Sequence, residues 1–128
     1  MLDHIGLKVT DIAKAKAFYD KALAPLGVKI IMEVPKEESG DGAFIGYGEG
    51  MKPYFWINEQ PKATVLLHVA FASDNRAKVD AFYKAAMAAG GRDNGPPGPR
   101  PLYHPNYYGA FVLDPDGHNI EAVCHAPA

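Results

Sequence analysis

The sequence predicts an α+β fold in which one βαβββ unit is used twice. Three observations carry this: an internal repeat, a change from two-residue to helical periodicity inside each copy, and a unit too small to stand alone. Laying residues 2–27 over 66–91, with no gap and an offset of 64, gives ten identities in 26 positions, among them His4/His68, Phe18/Phe82, Tyr19/Tyr83 and Gly27/Gly91. Chance in an alanine-rich chain gives roughly two. A copy of about 60 residues buries too little surface to be stable by itself, so the two copies are expected to share a sheet or core, making residues 1–128 one domain with repeats at about 1–60 and 65–126.

Each copy opens with a strand. In His4 to Val9 the apolar Ile5, Leu7 and Val9 share one face, opposite His4, Gly6 and Lys8; in Leu67 to Ala72, Leu67, Val69 and Phe71 oppose His68, Ala70 and Ala72. Both histidines thus point away from the larger apolar residues, each with a small residue two positions on. A helix follows, capped by Asp11 in the first copy and by Asp74 in the second, and closed by Gly27 and by Gly90-Gly91. Val28 to Val34, Ala43 to Tyr47 and Tyr54 to Ile57 read as the three remaining strands of the first copy. In the second, five prolines between residues 92 and 107 predict a long ordered loop ending in a short strand near Tyr103. Ala110-Phe111-Val112 then matches Ala43-Phe44-Ile45, and residues 58–64 connect the copies.

Composition narrows the partners. A net charge of −2 offers no basic footprint, so nucleic acid and anionic membrane are poor partners and small molecules better ones. No charged-then-apolar leader opens the chain and no apolar run reaches membrane-spanning length. The single cysteine, Cys124, cannot form an internal disulfide, reads as a small buried residue, and suits the reducing cytoplasm.

The last strand raises the functional question. Asp114-Pro115-Asp116-Gly117 supplies a turn, after which Asn119, Glu121 and Val123 share one face while Ile120, Ala122 and Cys124 share the other. A carboxylate in such company must be paired or coordinated, because burying it alone costs several kcal/mol. Equivalent strands of a two-fold repeat bring equivalent residues together, so His4 and His68 are expected to approach each other with Glu121 beside them. Two imidazoles and a carboxylate suit a divalent ion such as Fe, Mn, Zn or Ni. Ordinary readings stand beside this one: hydrogen-bonded core histidines, and an ion pair for Glu121. His118 and His125 are read as a solvated turn residue and a terminal one.

Three stretches, His4-Ile5-Gly6-Leu7, His68-Val69-Ala70-Phe71 and Phe111 through Asp114-Pro115-Asp116-Gly117-His118-Asn119-Ile120-Glu121, with the helical Phe-Tyr pairs, resemble the vicinal oxygen chelate superfamily. That group includes glyoxalase I, bleomycin-resistance proteins, extradiol dioxygenases and fosfomycin-resistance thiol transferases. The resemblance spans the chain and implies paired βαβββ modules forming a cupped mixed sheet with helices outside. It also implies metal ligands at His4, His68 and Glu121, and a substrate held through adjacent oxygens. In glyoxalase I a fourth ligand comes from the last strand of the first module, where this chain has Trp56. That departure argues against the glyoxalase I reaction itself.

The remaining site expectations follow from placement. Tyr54, Trp56, Tyr107, Tyr108 and Lys8 are expected to line the substrate cavity, with Tyr47 as a possible addition, and Tyr103 and His104 to serve with Glu121 in proton transfer. The functional expectation is a cytoplasmic metal-dependent lyase, isomerase or dioxygenase acting on a small molecule, with a homodimer as the favoured assembly. The alternatives are a metal-free protein that sequesters a small molecule and a structural dimer with no ligand.

Overall fold

The structure is a computed structural model, which describes residues 1–62 and 65–128. The end of the 58–64 connector, Ala63 and Thr64, lies outside the described residues. The first module runs β1 (Ile5–Val9), α1 (Ile12–Ala22), a 3-10 turn (Ala24–Leu26), β2 (Lys29–Val34), α2 (Lys36–Ser39), β3 (Phe44–Glu49) and β4 (Lys52–Glu59). The second runs β5 (His68–Ser73), α3 (Arg76–Ala88), β6 (Arg92–Pro99), β7 (Tyr108–Leu113) and β8 (Asn119–Cys124). Two four-stranded mixed sheets result, ordered β1-β4-β3-β2 and β5-β8-β7-β6, each with one parallel pair at its opening strand. The α+β fold of paired βαβββ modules is therefore present.

Alternation settles which residues are buried. Leu7 and Val9 of β1, Phe71 of β5, and Ile120, Ala122 and Cys124 of β8 face the helices and are buried, while Gly6, Lys8, His68, Ala70 and Ala72 are exposed on the opposite faces. Helices α1 and α3 touch each other, and one apolar cluster runs through both modules, with Phe55 of β4 edge-on to Phe71 of β5 at 5.1 Å between ring centres. The shared core answers the marginal size of each copy.

Four local expectations are corrected. Helix α3 is capped by Asn75, whose side chain accepts from the Lys78 amide at 2.9 Å, while Asp74 pairs with the Lys78 ammonium instead. Asn75 is the repeat equivalent of Asp11, so the 64-residue offset itself pointed to it. The proline-rich stretch forms a strand, β6, and Tyr103 sits in the turn beyond it. Proline is tolerated because β6 lies at the sheet edge and its pairing with β7 is interrupted by irregularities between Asp93 and Gly95 and between Gly95 and Gly98. In the third strands, pairing to the equivalent Trp56 and Glu121 places Gly46, not Phe44, opposite Phe111 in the repeat. A two-residue slip keeps every side chain on its face, so alternation alone could not expose it. Finally, His118 is buried: its Nδ1 accepts from the Leu67 amide at 3.0 Å and its Nε2 donates to the Lys8 carbonyl at 2.8 Å.

The expected turn is present. The Gly117 amide donates to the Asp114 carbonyl at 3.0 Å, with Gly117 at φ +96°, and the Asp114 carboxylate gathers the amides of Asp116 and His118. The same carboxylate accepts from the Tyr19 hydroxyl at 2.6 Å, and Asp116 accepts from Thr10, so this turn fastens the second module onto the first. Among the described residues no helix is long and apolar enough to cross a membrane.

Candidate functional site

Glu121 occupies the middle of β8, between Ala70 of β5 and Phe111 of β7 in register, on the face turned away from the helices. Its carboxylate is almost wholly buried, at 1% exposure, and both oxygens are occupied. Oε1 lies 2.8 Å from His68 Nε2, and Oε2 accepts from the Tyr107 hydroxyl. Gly109 makes room for this: a Cβ there would stand 3.0 Å from the Tyr107 ring and 3.4 Å from Glu121 Oε2. Desolvation first, then the hydrogen bond and charge of Glu121, holds the Tyr107 phenol well above its usual range, so it remains a proton donor.

The loop before β7 surrounds Tyr107. Tyr103 packs edge-on to it at 5.1 Å, His125 does the same at 5.1 Å, and His104 stands edge-on to His125 at 5.4 Å. His104 Nδ1 accepts from the Asn106 amide, and Tyr103 is largely exposed. Of the two candidate proton carriers, Tyr103 thus touches the Tyr107 ring directly, and His104 is linked to it through His125. Sequence reasoning placed Tyr107 in the cavity wall and missed its hold on the carboxylate.

His4 stands elsewhere. It is exposed, with Nδ1 2.7 Å from Asp3 Oδ1, and Asp3 also pairs with Lys52 at 2.7 Å. On the open face of the first sheet, His4 borders a hollow with Gly6, Val34, Ser39, Phe44 and Trp56. At the seam between modules it borders a second cavity, with Ile5, Phe55 and the β5 residues Val69 to Ala72. Trp56 pairs with Gly6 in the register that joins Glu121 to Ala70 in the second module, which places the indole at the position equivalent to the carboxylate. The indole is edge-on to Phe44 at 6.5 Å and covers Gly46, where a Cβ would come within 2.8 Å of it.

Lys8 lies on the same open face and donates to Asn58 Oδ1 at 3.2 Å. Tyr54 borders the seam cavity and donates to Glu49 Oε1 at 3.0 Å; burial, then that carboxylate, pushes its phenol up to about 12. Two aromatic residues expected at the cavity belong to the helix side. Tyr108 donates to Asp80 of α3 at 2.7 Å under the Arg76 guanidinium, and Tyr47 is fully buried and donates to Asp20 of α1. Alternation from Glu121's partner Phe111 puts Gly109, not Tyr108, on the open face.

The donor set can be tested against a divalent ion. Two ligands each about 2.1 Å from one ion at adjacent positions lie roughly 3 Å apart, so the 2.8 Å between His68 Nε2 and Glu121 Oε1 fits a shared cation. Within one chain, however, no three His, Cys, Asp or Glu side chains among the described residues are grouped to hold a metal ion. The expected convergence of His4 with the other two is not present in the single chain.

Comparison with known proteins identifies the family. The family model described as Glyoxalase/Bleomycin resistance protein/Dioxygenase superfamily matches residues 1–122. A glyoxalase/bleomycin resistance protein from Albidiferax ferrireducens T118 is similar at 26% identity and TM-score 0.76, with 95% of this chain and 96% of that one covered. A lactoylglutathione lyase from Agrobacterium tumefaciens shares the fold at 17% identity and TM-score 0.69, over 97% of this chain and 92% of that one. A glyoxalase I mutant from Zea mays does so at 23% identity and TM-score 0.67, over 95% of this chain and 46% of that one. No curated protein matches. The match over residues 1–122 makes this chain a member of the Glyoxalase/Bleomycin resistance protein/Dioxygenase superfamily.

Proposed function

We propose that the protein is a metal-dependent enzyme acting on a small molecule that presents two adjacent oxygens, with lyase, isomerase or dioxygenase chemistry. The observation that carries this is the buried Glu121 carboxylate set 2.8 Å from His68 Nε2, on a face otherwise open. A carboxylate buried for stability alone is poorly chosen, since an apolar residue of similar size serves as well. His68 and Glu121 are the proposed ligands in one chain, and His4 of a second copy, brought by homodimer formation, is proposed as the third. A bound divalent ion such as Fe, Mn, Zn or Ni would polarise substrate oxygens as a Lewis acid.

The chain's own residues do the rest. Tyr107 holds one carboxylate oxygen and so fixes the direction of the other toward His68. Tyr103 and His104 are proposed to exchange protons with a substrate that enters over the loop. Trp56 and Lys8 are proposed to form the substrate wall on the first module, and Tyr54 its edge near the seam. Trp56, having no oxygen donor, argues against the four-ligand chemistry of glyoxalase I. The single buried Cys124 suits a cytoplasmic setting.

A second reading, metal-free sequestration of a small molecule, is favoured by one observation: among the described residues of a single chain, no three His, Cys, Asp or Glu side chains are grouped to hold a metal ion. Metal content decides between them. Protein purified without chelators and analysed for first-row metals should carry close to one equivalent, lost in His68→Ala and Glu121→Ala. Less than a tenth of an equivalent, unchanged by either substitution, would sink the enzyme reading and favour sequestration. Light scattering supplies the independent check on assembly, since a monomer at all concentrations would remove His4 of a second copy from the proposal.

A further inference from the structure

The proline- and glycine-rich β6 has a second consequence. Across the open face of the second sheet, Ala70, Glu121, Phe111 and Gly95 stand in register on β5, β8, β7 and β6. Over the last two lies the side chain of Arg100, its guanidinium carbon 5.5 Å from the centre of the Phe111 ring. Nη2 donates to the Pro96 carbonyl at 2.8 Å and Nη1 to the Pro99 carbonyl at 3.3 Å. Two glycines make the space. A Cβ at Gly95 would come within 2.9 Å of Phe111 and 3.3 Å of Nη2, and one at Gly98 within 3.2 Å of Nη1. The backbone is tied as well, the Arg100 amide donating to the Tyr107 carbonyl at 2.8 Å.

A guanidinium has five N–H donors, and two are spent on these carbonyls. Among the described residues Arg100 pairs with no Asp or Glu. A cation that is pre-set, stacked and unneutralised loses little conformational freedom when it meets an anion. The ring it covers, Phe111, is the direct register partner of Glu121 on the neighbouring strand, roughly 5 Å away at ordinary strand spacing.

We infer that Arg100 is the anion-recognising residue of this face and that the ligand is a planar carboxylate, its carboxylate on the guanidinium and its flat part running past the edge of Phe111 toward His68, whose ring stands 6.2 Å from that of Phe111. This rests on the small-molecule role proposed for the Glu121 site, but it requires no metal. The far end of such a ligand reaches the His68–Glu121 pair, so Arg100 selects for substrates acidic at the end opposite the reacting oxygens.

The test uses benzoate and its neutral isostere benzamide as probes, titrated by NMR into the metal-free full-length protein. Wild type should bind benzoate about tenfold more tightly than benzamide. The preference should fall below twofold in Arg100→Gln and return in part in Arg100→Lys, which a mere loop brace would not produce. Should Arg100→Gln fail to fold, Gly98→Ala keeps the charge but crowds the guanidinium, and the preference should drop at least threefold. Equal binding of the two probes, binding of neither, or an undiminished preference in Arg100→Gln or Gly98→Ala would overturn the inference. Because metal is absent from this experiment, its outcome is separate from that of the metal analysis.

Discussion

His118 in the second module donates from Nε2 to the carbonyl of Lys8 in the first, at 2.8 Å and out of contact with solvent. Its other nitrogen accepts from the Leu67 amide, which puts the donating N–H on Nε2 and leaves neither ring nitrogen free. Replacing the ring by alanine abandons a carbonyl and an amide in the interior at once. His118→Ala should therefore cost about 3 kcal/mol, read as a lower urea midpoint. A loss under about 0.5 kcal/mol would mean that the modules are not held by this clasp.

Gly27 and Gly91 are the same position in the repeat but are glycine for different reasons. Gly27 has φ +79° with nothing near its missing Cβ, whereas a Cβ at Gly91 would stand 2.4 Å from Val112, 2.8 Å from the Ala86 carbonyl and 2.8 Å from Phe18. Gly27→Asn should be nearly neutral and Gly27→Ala should cost about 1 kcal/mol from backbone strain. Gly91→Ala should cost about 3 kcal/mol by overpacking where both modules meet. Thermal denaturation of the three variants checks the order, and equal losses for both alanine variants would contradict it.

These cases mark where the sequence was readable. Duplication doubles every periodic signal, so β1, β5, α1 and α3 and the face carrying His68 and Glu121 follow from alternation and offset alone. β6 did not, because an edge strand needs only half of its backbone hydrogen bonds and so admits the prolines that argue against a strand. Tyr107 and Arg100 come from an irregular loop without a period, and their contacts with Glu121 and Phe111 are set by three-dimensional closure. His118 was misread because a turn position says nothing about which module lies above it. Whether His4 joins Glu121 depends on how modules pair, which no local pattern encodes.

Alkaline pH should weaken the fold in a defined window. Tyr19 and Tyr47 are fully buried, and desolvation, followed by Asp114 for the one and Asp20 for the other, raises both phenols above the ordinary value of 10.0. Below pH 10 these phenols are protonated whether the chain is folded or not, and their contribution is fully present. As pH rises above 10 the unfolded chain releases protons that the folded one retains, so stability falls, by about 1.4 kcal/mol per pH unit for each such phenol. Urea midpoints at pH 9, 10 and 11 should decline, and Tyr47→Phe should flatten the decline. A midpoint constant to pH 11 would show that the two phenols are not protected.

The Tyr107 to Glu121 contact can be isolated by a double-mutant cycle. Tyr107→Phe removes one of two donors from a buried carboxylate and should cost about 2 kcal/mol. In a Glu121→Leu background no charge is left to satisfy, and the same change should cost under about 0.5 kcal/mol. The coupling therefore exceeds about 1 kcal/mol, as expected for groups in direct contact. Glu121→Leu alone should be tolerated far better than Tyr107→Phe combined with His68→Ala, because the latter pair strands the charge without a partner. Additive losses around the cycle would show that tyrosine and glutamate do not meet in solution, and the carboxylate's orientation toward His68 would then need another cause.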